Sequence, residues 1–471
     1  MGSLVLFTPE VVILVGAILA LVLSILGLSY RTVWLASVIV AALGVGVSFA
    51  FIGADGEPFF PGIYRVDVFS QVLKLGITTG LFLSILIAGN PGSVREHARV
   101  DFPMFLFFSA LGMMMMVSAT ELLTLYVALE FSAYGLYILA ALSKRQREGS
   151  EAAAKYVLYG AASSAATLFG LSLIFGAARS TMLADIMAMT PTPMLVVGVF
   201  LALSGVLFKL AVYPFHAWAP DTYQGGPHEA VTFIGTASKV AAVGILARLL
   251  FLAIPAPASL VNTILILSVA SMTVGNLAAM VQNDLKRLLA YSTVAHAGYI
   301  LIGLACFSEK GVAAAIFYAM TYVPIVFCAF LVVCVLGADG NSPTKRTIAG
   351  IYKRSPLLGV TLLVGMFGLA GIPPTAGFIG KWFLFFAAIE RDLLWLVLVG
   401  AINATISLYY YLHVIKDAYL TPPVDDTKIE VSSATTIAAW LGIALVLFFG
   451  FYPTPLWELA EAAAKVLIGG G

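Results

Sequence analysis

Runs of about twenty apolar residues recur along this chain, roughly fourteen of them, each closed by a short polar loop. A run of that length crosses the hydrocarbon core of a bilayer. Inside that core every backbone N–H and C=O must find a partner within the chain, so the runs are expected as helices and not as open sheet. The fold class that follows is an all-α polytopic membrane protein with about 14 transmembrane helices. Charge agrees: only 10% of the 471 residues are charged, against roughly 25% in soluble domains. The net charge of +1, with no basic stripe outside short loops, leaves no footprint for nucleic acid. Cys306, Cys328 and Cys334 lie in apolar stretches without a CxxC spacing and read as small buried hydrophobes.

The amino terminus, MGSLVLFTPEVVILVGAILALVLSILGL, has no basic segment ahead of its apolar run. The first span is therefore expected to be retained and not cleaved as a signal. Leu6 stands where a myristoylation signal would want Ser or Thr. Fourteen Lys and Arg fall on one side of the spans, among them Arg95, Lys144, Lys286, Lys345 and Lys416. Six fall on the other, including Arg248 near its surface. The excess of basic residues places the first side in the cytoplasm and both termini outside.

Two spans are irregular. LFKLAVYPFHAWAPDTYQGGP (207–227) breaks the seventh at Pro214, and the twelfth carries GIPP (371–374) in its middle. Interrupted helices at comparable places in two halves point to two inverted five-helix repeats, spans 4–8 and 9–13, each with one broken helix. The expected organisation is three N-terminal helices over 1–100, a first repeat over 101–254, a second over 255–420, and a last helix with a short segment over 421–471.

Charges inside the spans are the informative exceptions. Glu130 lies mid-span in LLTLYVALEFSAYGLYIL, and Lys239 lies about 11 residues, roughly 16 Å, into the eighth span. Lys209 and Lys381 fall beside the two breaks, and His296 is about as deep in KRLLAYSTVAHAGYILIG. Each charge at the bilayer centre costs about 2.5–3.5 kcal/mol, so four of them together cost on the order of 10 kcal/mol. Such groups persist where they face a hydrated interior, pair with one another and titrate. A buried amine loses part of its preference for the charged form, so it can take up and release protons near neutral pH. Five titratable groups on five helices at one depth read as a row of proton sites, with the breaks letting water reach Lys209. Structural ion pairing of Lys209, Lys239 and Glu130, snorkelling of Lys381 and of Lys155, and a neutral core role for His296 remain the competing readings. His216 and His228 flank a polar loop, Glu229 stands at a helix start, Met113–Met116 is packing surface, and Lys74 has no assignment.

FKLAVYPFHAWAPDTYQGGP, SKVAA around Lys239, NDLKRLLAYSTVAHAGY and GIPPTAGFIGKW together resemble the antiporter-like membrane subunits of respiratory complex I. The resemblance covers nearly the whole chain and is strongest from about 120 to 390. PDTYQG is similar to the N-type members (subunit 2 in mitochondria), and a lysine at 381 suits them as well. The resemblance implies a proton-pumping subunit of NADH:quinone oxidoreductase in a bacterial cytoplasmic membrane. It makes Glu130 and Lys209 a pair and adds Lys239, Lys381 and His296 to the pathway. Lys286 matches a cytoplasmic-side lysine of the family, and Lys155 fits its EA..KY pattern. GGPHEA departs from the family, which more usually reads GAP followed by Thr or Val, and this leaves His228 and Glu229 without a role. The implied partners are M-type antiporter-like and small K- and J-type membrane subunits, with the peripheral redox arm acting indirectly. FMN, iron–sulfur clusters and quinone would belong to those partners, since this chain has no GxGxxG and no cysteine cluster. Two other assignments stay open on the residues alone: a subunit of a multi-subunit cation/proton antiporter, and a related pump driven by ferredoxin or a hydrogenase.

Overall fold

A computed structural model of the chain describes residues 3–56, 62–253, 255–423 and 425–469. Residue 254, where the boundary between the two repeats was expected, lies outside the described residues. Among the described residues, 12 helices are long and apolar enough to cross a membrane. The crossings begin with α1 (Thr8–Ile25), α2 (Tyr30–Ala50), α3 (Val68–Ile87), the shorter apolar α4 (Phe102–Ser118), α5 (Leu122–Ala141) and α6 (Gln146–Ala178). A broken crossing follows, made of α7 (Pro193–Leu210) and α8 (Trp218–Gly225), and then one built from α9 (His228–Gly235) and α10 (Ala237–Leu250). After α11 (Ala258–Met280), α12 (Leu285–Ala305) and α13 (Glu309–Leu336) comes the second interrupted crossing, α14 (Pro356–Ala370) and α15 (Ala376–Ile389). The last are α16 (Leu394–Tyr419) and α17 (Ser433–Phe451), followed by an unexpected helix α18 (Thr454–Gly469). With α4 and the α14–α15 pair added to the twelve, the expected fourteen crossings are present.

The breaks have local causes. α7 stops at Leu210 because Ala211 takes a left-handed conformation (φ 63°), and Pro214 follows on a cis peptide. A residue with a Cβ pays roughly 1–2 kcal/mol for that conformation, so the surroundings must hold it. α14 ends more cheaply, with Gly371 at φ 79° in the equivalent place. A third break escaped the sequence: α9 and α10 part at Thr236 (φ −112°, ψ −87°), three residues before Lys239. Only the glycine before it, in FIGTASKV, hints at this.

The α9–α10 crossing lies at the centre, with all of its apolar window buried, whereas α1, α2, α16 and α17 keep wide apolar faces exposed. Gly80 on α3 lets α3 and α10 approach closely, since a Cβ there would meet the Ala237 backbone nitrogen at 2.9 Å. α3 also packs against α4, α13 and α18, which makes it part of the core and not an appendage of the first three helices. α18 closes the bundle by packing Trp457 on Phe383, ring centroids 4.0 Å apart and the planes tilted by 33°.

Candidate functional site

The freed carbonyls at the helix breaks are taken by lysines. A helix C-terminus leaves its last carbonyls without intrahelical donors and carries partial negative charge, which suits a cation. Lys239 Nζ donates to the Lys209 carbonyl at 2.9 Å, in the last turn of α7. Lys381 Nζ donates to the carbonyls of Ala370 (2.8 Å) and Leu369 (3.1 Å), in the last turn of α14. Both side chains are buried, at 1% and 5% exposure. The two halves thus repeat one arrangement: a broken helix presenting carbonyls to an ammonium group that follows it. The breaks were expected to admit water to Lys209; their direct effect is to seat Lys239 and Lys381.

Lys209 itself turns toward α5, where its Nζ donates to Ser132 Oγ at 2.7 Å. Glu130, also on α5, accepts from Ser164 Oγ at 2.7 Å, and Tyr126 joins Ser164 at 2.9 Å. Glu130 and Lys209 line one cavity of about 10 Å³ together with Tyr137, Tyr156 and Ser164. That is space for about one water. The pair implied by the family resemblance is therefore a shared cavity with serine partners, and not an ion pair among the described residues. Lys209's charge does reach Lys239.

His296 is held between two phenols, with Nδ1 2.6 Å from Tyr318 Oη and Nε2 3.1 Å from Tyr411 Oη. Tyr411 continues to Ser292 at 2.5 Å. Towards α15, the Tyr299 ring stands 6.0 Å from His296 and carries the Lys381 ammonium over its face at 4.8 Å. Towards α10, Lys239 lies 5.2 Å from the Trp218 ring, whose Nε1 donates to the Phe208 carbonyl at 2.9 Å. Lys209, Lys239 and Trp218 thus form one buried polar segment, and His296, Tyr318, Tyr411, Tyr299 and Lys381 form a second; the two together are the candidate axis. The tyrosines were missed in the sequence. Their signal was Tyr318 and Tyr322 at helical spacing in IFYAMTYVP, opposite a buried histidine.

Two predicted residues lie off this axis. Lys155 is partly exposed and bonds to Asp221 at 2.7 Å and Glu151 at 2.8 Å. Arg287 takes the other Asp221 oxygen at 2.7 Å, so the carboxylate clamps α6, α8 and α12 together. Partial burial alone would raise its pKa, but the hydrogen bonds from Lys155 and Arg287 outweigh that and hold it below the ordinary carboxylate range. Lys286, counted above with the loop cations, is buried to 1% exposure and donates to the Gly226 carbonyl at 2.7 Å. Arg248, placed near the outer surface, is also buried, paired with Asp67 at 3.1 Å. Both sit in terminal helical turns that are buried in the bundle, which a loop count cannot see, and the excess of basic residues survives their removal.

A second buried cluster was not anticipated. Glu10 in the first turn of α1 and Lys74 on α3 form an ion pair at 2.6 Å, both fully buried, and Tyr64 donates to the same carboxylate. Among the described residues no three His, Cys, Asp or Glu side chains come together as a metal site requires.

Buried amines seated on broken helices within a multi-pass helical bundle define a class, that of membrane subunits built like secondary ion transporters. The chain belongs to the NADH:quinone oxidoreductase/Mrp antiporter transmembrane family, whose signature matches residues 119–407. It is 43% identical over 468 residues to a Syntrophobacter fumaroxidans protein named NADH-quinone oxidoreductase subunit N 2, covering 98% of this chain and 99% of that one. A chain of respiratory complex I from Thermus thermophilus with bound aureothin superposes with a TM-score of 0.84 at 32% identity, covering 96% of this chain and 99% of its own. A chain of the membrane-bound sulfane sulfur reductase, an archaeal respiratory membrane complex, superposes with a TM-score of 0.90 at 25% identity, covering 99% and 98%. The N-type resemblance carried by PDTYQG and its companion motifs is borne out by these relatives.

Proposed function

We propose that this chain is a proton-translocating membrane subunit of an NADH:quinone oxidoreductase, moving protons along the buried axis while partner subunits reduce quinone. The observation that carries this reading is the paired seating of Lys239 and Lys381 on broken-helix carbonyls, with Lys209 and His296 beside them. Four titratable side chains inside an apolar bundle are costly to insert, and groups kept at that cost mark proton or ion pathways. In this reading Glu130, Lys209, Lys239, His296 and Lys381 carry the protons. Lys286 supplies the axis from the basic side, and Lys155 acts from the surface with Asp221.

The partners are M-type, K-type and J-type membrane subunits, and the peripheral arm with FMN and iron–sulfur clusters drives the pump indirectly. The chain lies in a bacterial cytoplasmic membrane with both termini on the periplasmic side, an orientation supported by the basic loops. Mild-detergent purification from native membranes, with a mass-spectrometric census and an absorbance scan, tests the assignment. A large assembly with flavin and iron–sulfur absorbance is expected. A colourless assembly of hydrophobic subunits would instead make this chain part of a cation/proton antiporter.

A further inference from the structure

At the end of the bundle that carries Arg95 and Lys144, a cavity of about 170 Å³ lies between the last turns of α3 and α13 and the segment leading into α17. Exposed Glu430 stands at its mouth, and Glu229, only 2% exposed, forms part of its wall. Asn90, Ser432 and Thr435 add polar surface, so the space suits several waters. Glu229 belongs to GGPHEA, the stretch in which this sequence departs from the pattern of its family.

Behind Glu229 lie Ser93, His228 and Lys286, in two hydrogen-bonded pairs. Ser93 Oγ donates to the Glu229 carboxylate and accepts the His228 backbone N–H at 2.9 Å. His228 Nε2 lies 3.0 Å from the Gly337 carbonyl, which can only accept, so Nε2 carries the ring proton. Nδ1 is then free to accept from Lys286 Nζ, 3.0 Å away. Among the described residues no ion pair joins Glu229 to a lysine or arginine. The cations whose charge reaches it are Lys286 and Arg99, and Tyr30 and Cys334 also lie within electrostatic range. A structural carboxylate this deep would normally sit against its cation. This one faces a polar cavity and a serine.

We propose that the cavity is a proton-uptake vestibule and that Glu229 is its acceptor, delivering protons to Lys286. The inference rests on the proton-translocating reading above. A proton from bulk water, gathered near Glu430, crosses the cavity and converts the Glu229 carboxylate to the acid. When the Lys286 ammonium has given its proton to a water leading to the candidate axis, the acid proton crosses to the Lys286 amine through a second water, since the two side chains are not in hydrogen-bond contact, and Glu229 returns to the carboxylate. One proton enters, one is passed on, and no other bond changes. His228 is a positioning residue that fixes the Lys286 amine between Nδ1 and the Gly226 carbonyl.

The test uses membrane vesicles containing the whole respiratory complex, with assembly checked on native gels and by ferricyanide reduction in the peripheral arm. Glu229→Gln and Glu229→Ala are expected to slow coupled proton pumping by roughly tenfold. Formate, a small weak acid, is expected to restore the Ala variant, whose shortened side chain leaves it room, and not the Gln variant. Wild-type pumping in assembled Glu229→Gln overturns the proposal, and so does a loss in Glu229→Ala that formate leaves unchanged. If neither variant assembles, Ala434→Trp narrows the cavity while leaving the Glu229 side chain in place, and pumping at the normal rate in that variant overturns it equally. Lys209→Ala is measured alongside. Normal pumping there defeats the functional reading itself, whereas a loss there beside a normal Glu229→Gln defeats only the vestibule.

Discussion

The Lys239 ammonium donates to the backbone carbonyl of Lys209 at 2.9 Å, so one proposed proton site is seated on the peptide of the next. The acceptor belongs to the main chain, and the side chain of Lys209 can be removed without disturbing it. Lys209→Ala is therefore expected to assemble normally while coupled pumping, read by a pH-sensitive dye in vesicles, falls at least about tenfold. Lys239→Met differs in kind, because it leaves that carbonyl buried and unpaired. It should lower thermal stability by about 1–3 kcal/mol as well as abolish pumping. A Lys239→Met complex with an unshifted melting transition would count against the seating.

Ser132 is fully buried and is the hydrogen-bond acceptor of Lys209 Nζ. A hydrogen bond to a charged group contributes about 1.5–3 kcal/mol, so Ser132→Ala should weaken both the local fold and the rate of pumping. Ser132→Thr keeps the oxygen and is expected to retain most of the rate. Equal rates in the two variants would show that the serine is packing only.

His296 has a phenol on each ring nitrogen, and each removal should act separately. Tyr318→Phe and Tyr411→Phe are each expected to slow pumping while leaving assembly intact. A His296→Phe variant that pumps at the normal rate would remove the histidine from the pathway and leave Lys239 and Lys381 unlinked.

The Glu10–Lys74 pair is predicted to be structural. Breaking a buried pair by removing one charge costs about 3–5 kcal/mol, so Glu10→Gln alone should lower the melting transition of the purified complex substantially. Combining it with Lys74→Met removes the stranded charge and should restore most of the loss with pumping unchanged. A pumping defect in the assembled double variant would move this cluster into the proton pathway.

Asp221 gives a pH prediction with a definite sign. Its pKa is lowered in the folded state, so its contribution is present above the ordinary carboxylate value of about 3.9 and is lost as pH falls through the lower folded value. The partners are partly exposed, which limits the effect to about 1 kcal/mol. Asp221→Asn should therefore cost the same at pH 8 and at about pH 5, measured as the shift in melting transition. A cost that vanished by pH 5 would place the pKa above the ordinary range.

Much of this was legible in the residues. Apolar run length located every crossing, and Pro214 and the GIPP segment marked two breaks, because prolines and hydrophobicity act locally. Depth alone picked out Lys209, Lys239 and Lys381 as buried cations. The partners were not legible, since Ser132, Tyr318 and Tyr411 come from other helices and look like ordinary span residues. Glu10 was not singled out, because its burial depends on α3, more than fifty residues later. The break at Thr236 has no proline; it coincides with the Thr236 hydroxyl bonding back to the Thr232 carbonyl at 2.7 Å and with packing against α3 and α13, neither of which shows in the local sequence.

The pairing of Glu10 with Lys74 also bears on how the chain is made. Synthesis delivers α1 to the membrane first, then α2, and α3 with its lysine only afterwards. Apart from α2, the helices that α3 packs against most, namely α4, α10, α13 and α18, do not yet exist when it leaves the ribosome. A carboxylate already waiting in α1 gives the incoming ammonium a companion at once, so the first three helices can leave the insertion machinery together and hold until the rest arrives.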